Sequence, residues 1–225
     1  MKNKAVVVLV SLLSIAAFIY GSLLYRSLNA TTPEVGVAVS GKEGDSLIRP
    51  YSPIIGSEQA PVTLVEFFDP ACEACRAFSP YVKGLVSRNF GQVRVVLRYV
   101  TFHAGSEDAA RILEAARVQK LFEPVLEALY ARQPEWASHG SSSVENILEV
   151  AGSAGLNIEQ ARSYMVRPEV DRVIVQDKAD MTTLGIRQTP SFFLSGKMLT
   201  FSNPQELIAL VNKEVEALRS ATPAP

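Results

Sequence analysis

The sequence predicts an α/β domain in which a βαβ half and a ββα half share one mixed sheet, with a helical segment inserted between them. Short apolar, β-prone runs at Val62–Phe68 and 93–100 precede a long stretch of helical spacing, and two further β-prone runs at Ser191–Leu194 and 198–201 follow it. The composition, 48% hydrophobic and 20% charged over 225 residues, is that of a globular chain and excludes disordered and collagen-like classes. The cysteines, Cys72 and Cys75, stand three positions apart, so they form a local device and cannot staple distant loops.

Residues 1–26 form the first element. Lys2 and Lys4 precede an uncharged run over residues 5–25, which as a helix spans about 31 Å, roughly the hydrocarbon thickness of a bilayer. A transmembrane anchor with a cytoplasmic amino terminus is expected, because the positive charge precedes the run. A cleaved signal peptide is the alternative; its apolar core is usually shorter, and Leu28 and Ala30 make a poor cleavage site. Either reading exports the remainder to the periplasmic or extracellular face. Residues 27–60 read as a linker carrying one short strand at Val35, Val37 and Val39. With 22 Lys and Arg against 23 Asp and Glu there is no basic stripe, which excludes nucleic acid as a partner. Without Lys2, Lys4 and Arg26 the net charge of −1 becomes about −4, a mildly acidic domain.

Residues 61–103 form the first half of the domain. The run Val62–Phe68 feeds Asp69 and Pro70, and a helix follows with apolar positions at Cys75, Phe78, Val82, Leu85 and Val86. The run at 93–100 after Gly91 then completes a parallel βαβ unit. Residues 104–185 are the helical insertion, with four or five helices. Ser106 is expected to cap the first, Phe122, Val125, Leu126, Leu129 and Tyr130 mark a buried face, and Ser142 with Glu145 and Asn157 with Gln160 have capping-box spacing. Pro168 fits the first turn of a helix stopping near Gly185. Residues 186–220 form the second half: a hairpin turning at Ser195-Gly196, then a helix opened by Asn203, Pro204 and Glu206. Residues 221–225 are expected to fray.

Three residues of helix separate Cα atoms by roughly 5 Å, inside the disulfide window, so Cys72 and Cys75 can open and close with little backbone movement. At a helix amino terminus, free N–H groups and the helix dipole favour a thiolate. Cys72, at the solvent end, is the expected nucleophile and Cys75 the buried resolving thiol. A zinc site would need two further ligands, and His103 and His139 do not supply the spacing. A purely structural disulfide closing so short a loop would constrain the unfolded chain little.

Residues 55–75, with the run Ala60-Pro61-Val62-Thr63-Leu64-Val65-Glu66-Phe67 leading through Asp69 into C-x-x-C, resemble the DsbA-like disulfide oxidoreductases of the thioredoxin superfamily. So do Leu184-Gly185-Ile186-Arg187-Gln188-Thr189-Pro190-Ser191-Phe192-Phe193-Leu194. The resemblance covers roughly residues 50 to 220. It implies a thioredoxin fold with an inserted helical domain, behind the amino-terminal membrane helix, acting outside the cytoplasm on exported proteins that carry cysteines. It also implies a membrane redox partner and no dissolved cofactor or metal. Pro190, after Thr189, matches the family's cis-proline, which leaves backbone groups free for an incoming chain. Glu66 matches the buried acid that relays a proton to or from the resolving thiol, although a solvent-facing strand residue is an equal reading. Pro80 matches a helix-kinking proline.

The residues between the cysteines, Glu73 and Ala74, depart from the proline and histidine of strong oxidants. A carboxylate about 6 Å from the thiolate opposes it by on the order of 0.7 kcal/mol, comparable to the helix-terminus contribution of about 0.3 to 1 kcal/mol. Glu73 is therefore expected to tune Cys72 to a pKa nearer about 7 than about 3.5. Glu73 also resembles the C-E-x-C of anchored reductants of cytochrome maturation, so oxidase, isomerase and reductase directions all stay open. A copper chaperone is a weaker alternative, because Met181 and Met198 are not clustered with the cysteines; a non-catalytic folding chaperone is another. His103 reads as a local hydrogen-bond partner and Trp136 as part of the insertion core or its rim.

Overall fold

The computed structural model of the chain describes Tyr20, residues 46–137 and residues 142–221. The expected anchor over residues 1–26 (Tyr20 apart), the short strand at Val35 to Val39, His139 and residues 222–225 lie outside the described residues. Among those described, no helix is long and apolar enough to cross a membrane.

Five described strands form one mixed sheet: β1 (Ile54–Gly56), β2 (Val62–Phe68), β3 (Val93–Tyr99), β4 (Ser191–Leu194) and β5 (Lys197–Met198), in spatial order β1-β3-β2-β4-β5. β2 pairs parallel with β3, as the βαβ reading requires, and antiparallel with β4. The central strand β2 is buried on both faces: Leu64 and Phe68 join the larger core cluster, Val65 and Phe67 the smaller one behind the sheet. Glu66 falls on the Leu64 face, opposite Leu97 of β3 and Phe192 of β4, and is buried.

The β2–β3 crossover is α1 (Glu73–Arg88), which buries Cys75, Val82 and Leu85 against the sheet. Pro80 sits inside it, where it removes the N–H that would reach the Arg76 carbonyl. The insertion holds six described helices where four or five were expected: α2 (Ser106–Val118), α3 (Phe122–Ala131), α4 (Gln133–Trp136), α5 (Val144–Ser153), α6 (Ile158–Met165) and α7 (Pro168–Thr183). The extra one is α4, whose four residues are too short to display a helical period. α8 (Pro204–Ala221) closes the described chain.

Several expected caps form and two do not. The Asn157 side chain accepts the Gln160 N–H at 3.0 Å, and Pro168 occupies the first turn of α7. Asn203 accepts the Glu206 N–H at 3.0 Å while Glu206 reaches back to the Ser202 N–H at 2.7 Å, a reciprocal cap on α8. Ser106, by contrast, is the first residue of α2 and not its cap; Gly105 takes that place with φ of 79°, and a Cβ there would overlap Ser142. The cap of α5 is Ser143, with no side-chain cap bond. β5 stops at Met198, short of the expected run, although the Leu199 N–H still donates to the Phe192 carbonyl at 2.8 Å; Leu199 and Phe201 pack on the core.

β1, in the expected linker, pairs antiparallel with β3. The chain before it is fixed from behind the sheet by Arg98 of β3, which is fully buried. Its guanidinium donates to the Ser46 and Leu47 carbonyls at 2.7 and 2.9 Å and to Asp177 of α7 at 2.7 Å, and it also reaches Asp180. Arg49 pairs with Asp180 at 2.6 Å, and the Tyr51 hydroxyl donates to Asp177 at 2.7 Å.

Candidate active site

The site is built where β2 ends. Its last residues run into Asp69-Pro70-Ala71, and the Asp69 side chain accepts the Ala71 N–H at 2.8 Å while its carbonyl accepts the Cys72 N–H at 3.0 Å. This is the local turn an Asp followed by Pro favours. It delivers Cys72 as the amino-terminal cap residue of α1, in extended conformation (φ −79°, ψ 123°), and its carbonyl accepts the Arg76 N–H at 3.1 Å. Cys75, one turn on, faces the core.

The two sulfurs are unbonded and differ in access: Cys72 keeps 7% of its surface open and Cys75 none. The Cys72 thiol donates to the Thr189 carbonyl at 3.4 Å, so the loop before β4 lies directly against it, and the Thr189–Pro190 bond is cis. The Asp69 N–H donates to the Cys75 sulfur at 3.4 Å. The structure thus brings together Cys72, Cys75, Thr189 and Pro190, with Glu73 exposed on the first turn of α1.

The electrostatics separate the two thiols. Cys72 is pulled down to about 5, first by the hydrogen bond from the Cys75 thiol and then, against a burial penalty, by the Thr189 side chain and the N–H groups of Cys75 and Ala74. Burial is the leading cause that pushes Cys75 far up, followed by its bond to Cys72 and the charge of Glu66. The value near 5 is lower than the expected value near 7. Balancing the helix terminus against Glu73 left out the sulfur–sulfur hydrogen bond, which is the leading cause.

Glu66 is 4% exposed and is not the solvent-facing residue of the alternative reading. Burial, followed by the negative charge of Cys72, pushes it up to about 8. It lines a cavity of about 20 Å³ with Ser79, Lys83 and Tyr130, large enough for about one water. Its charge is felt at Cys75, so acid and resolving thiol are electrostatically linked.

Sequence reasoning treated Asp69 as a turn residue only. Fully buried, its carboxylate also accepts from the N–H groups of Phe102 at 2.8 Å and His103 at 3.2 Å and from Ser106 Oγ, and lies 2.8 Å from His103 Nδ1. It ties the cysteine turn to the loop after β3. The signal was visible in part, since Asp before Pro at a strand exit predicts the local bond but not the distant ones. Burial works against the charged form of His103, yet the hydrogen bond and charge of Asp69 raise its pKa. Trp136 is fully buried in the insertion and donates to the Leu129 carbonyl at 2.8 Å.

Comparison with known proteins gives four matches. The family described as Thioredoxin matches residues 49–213. Among solved structures, a thioredoxin-like oxidoreductase from Silicibacter pomeroyi superposes with a TM-score of 0.66 at 34% identity, covering 76% of this chain and 97% of that one. Among curated relatives, the Na(+)/H(+) antiporter NhaA of Herminiimonas arsenicoxydans is 30% identical over 169 residues, which are 75% of this chain and 26% of the antiporter. Disulfide bond formation protein D of Bacillus subtilis is 24% identical over 84% of this chain and 86% of its own. The chain therefore spans about a quarter of the length of that antiporter and most of the length of the disulfide protein.

Proposed function

The chain belongs to the thioredoxin family, and from that premise we propose that it is a thiol-disulfide oxidoreductase that passes its Cys72–Cys75 disulfide to exported polypeptides. The observation that carries the reading is the asymmetric pair: an accessible sulfur held near pKa 5 against the Thr189 carbonyl, and a buried sulfur one turn behind it.

In the oxidising direction a client thiolate attacks Cys72 of the disulfide. A client–Cys72 bond forms, the Cys72–Cys75 bond breaks and the electron pair goes to Cys75. A thiol whose pKa is so high is a poor leaving group. Glu66, protonated up to about pH 8, answers this by supplying the proton that Cys75 takes. A second client thiolate then attacks the client sulfur of the mixed disulfide and Cys72 leaves as a thiolate, which its low pKa favours. The client is oxidised and the pair left as a dithiol. The backbone of Thr189 and Pro190 supplies the edge on which the client is held.

The same low pKa supports the oxidising direction. Stabilising the thiolate stabilises the reduced protein, which makes its disulfide more oxidising. The couple is therefore expected above that of thioredoxin, which lies at about −270 mV. Equilibration with glutathione measures this: a value well above about −270 mV supports an oxidant, and one at or below it supports the reductant alternative.

The run over residues 5–25 supports a tether outside the cytoplasm, and the tether would raise the effective concentration of a membrane protein that reoxidises the dithiol. Ion transport is not carried over from the antiporter, since the shared stretch is 26% of it.

A further inference from the structure

Gln133 belongs to the insertion, yet its amide reaches the turn that carries Cys72. The Nε2 group donates to the carbonyl of Pro70 at 2.9 Å and to that of Cys72 at 3.1 Å. The side chain is 2% exposed, and Oε1, on the other edge of the amide, is buried with no hydrogen-bond partner. A buried acceptor left unsatisfied is costly, and flipping the amide would set Oε1 against two carbonyl oxygens instead. The observed orientation therefore serves the two carbonyls at the expense of the amide's own oxygen. Its base is held: α4 is anchored by the buried indole of Trp136, and the Ala137 N–H donates to the Gln133 carbonyl at 2.8 Å.

The Cys72 carbonyl is already the first acceptor of α1, taking the Arg76 N–H. A second donor from outside the helix fixes the peptide plane between Cys72 and Glu73, and with it the turn that sets the Cys72 sulfur against the Thr189 carbonyl. We propose that Gln133 is a positioning residue for the thiol chemistry: by holding the Pro70 and Cys72 carbonyls it fixes the turn that seats the Cys72 sulfur against the cis-proline loop, and so couples the insertion to the reactivity of the pair. The proposal rests on the reading of Cys72 as nucleophile.

The test is the thiolate midpoint of Cys72 in the reduced full chain, followed by ultraviolet absorbance against pH in parallel with melting temperature. Gln133→Met keeps the length of the side chain and removes both donors. Its midpoint is expected to rise by about one pH unit, so that the thiolate fraction at pH 5 falls about fivefold. Arg98→Leu, which weakens the junction behind the sheet and touches neither Gln133 nor the cysteine turn, is expected to lower the melting temperature and leave the midpoint in place. A Gln133→Met midpoint equal to that of the parent overturns the proposal, whatever happens to stability. Should that variant fail to fold, the side-chain NH₂ resonances of Gln133 in the parent decide: they must titrate with Cys72 and cease to do so in Cys72→Ser, and invariance overturns the proposal. A parent midpoint near that of a free thiol would instead sink the reading of Cys72 itself.

Discussion

Glu66 and Cys72 pull the pH dependence of stability in opposite directions. The folded pKa of Glu66, about 8, lies above its unfolded value, so between about pH 4.5 and 8 the folded state binds more protons and stability falls as pH rises. The folded pKa of Cys72, about 5, lies below that of a free thiol, so above pH 5 the folded state binds fewer protons and stability rises. Each slope is at most about 1.4 kcal/mol per pH unit, and in the dithiol state they nearly cancel between about pH 5 and 8. Glu66→Gln removes one of them. Denaturant unfolding of the reduced variant should show stability climbing with pH across that window while the parent stays nearly flat; parallel curves would contradict the buried acid. The residues that carry chemistry within one turn of chain, Cys72 and Cys75, were legible because spacing alone defines what they can do. Gln133 was not, since the carbonyls it holds lie 61 and 63 positions away. The low pKa of Cys72 was missed for a related reason: its leading cause is a contact between two side chains.

Among the elements, the junction of β3, α7 and the chain before β1 stands on Arg98. Its charge is matched by Asp177 and Asp180, which are themselves buried. Removing one partner of such a group strands the others in a poor solvent and typically costs about 3–5 kcal/mol. Arg98→Leu should therefore lose about that much in denaturant unfolding, and adding Asp177→Leu should recover part of it. A double variant as unstable as the sum of two independent losses would show that the carboxylates do not depend on the arginine. This junction could not be read from the sequence, where Arg98 sits in a β-prone run and looks like an outward-facing residue. The βαβ and ββα halves were legible because their periods are strong and their turns carry Gly, Pro and Asn. β1 was hidden in the linker because three residues show no period, and it exists by pairing with β3.

The larger core cluster of the molecule runs without a break from the sheet through α1 and α8 into the insertion, so the insertion is a wall of the site as well as an appendage to it. Turn, cis-proline loop and insertion meet at one residue, Cys72, and the sheet order that brings them there follows from strand pairing that periodicity does not encode. Of the two cysteines, Cys72 keeps 7% of its surface open and Cys75 none, so the proposed chemistry requires clients to engage Cys72. The most direct test is trapping. Reduced Cys75→Ser, mixed with a peptide disulfide, should accumulate a stable mixed disulfide on Cys72 that the parent resolves and Cys72→Ser never forms. A trapped adduct on Cys75 in Cys72→Ser, or none in Cys75→Ser, would contradict the account.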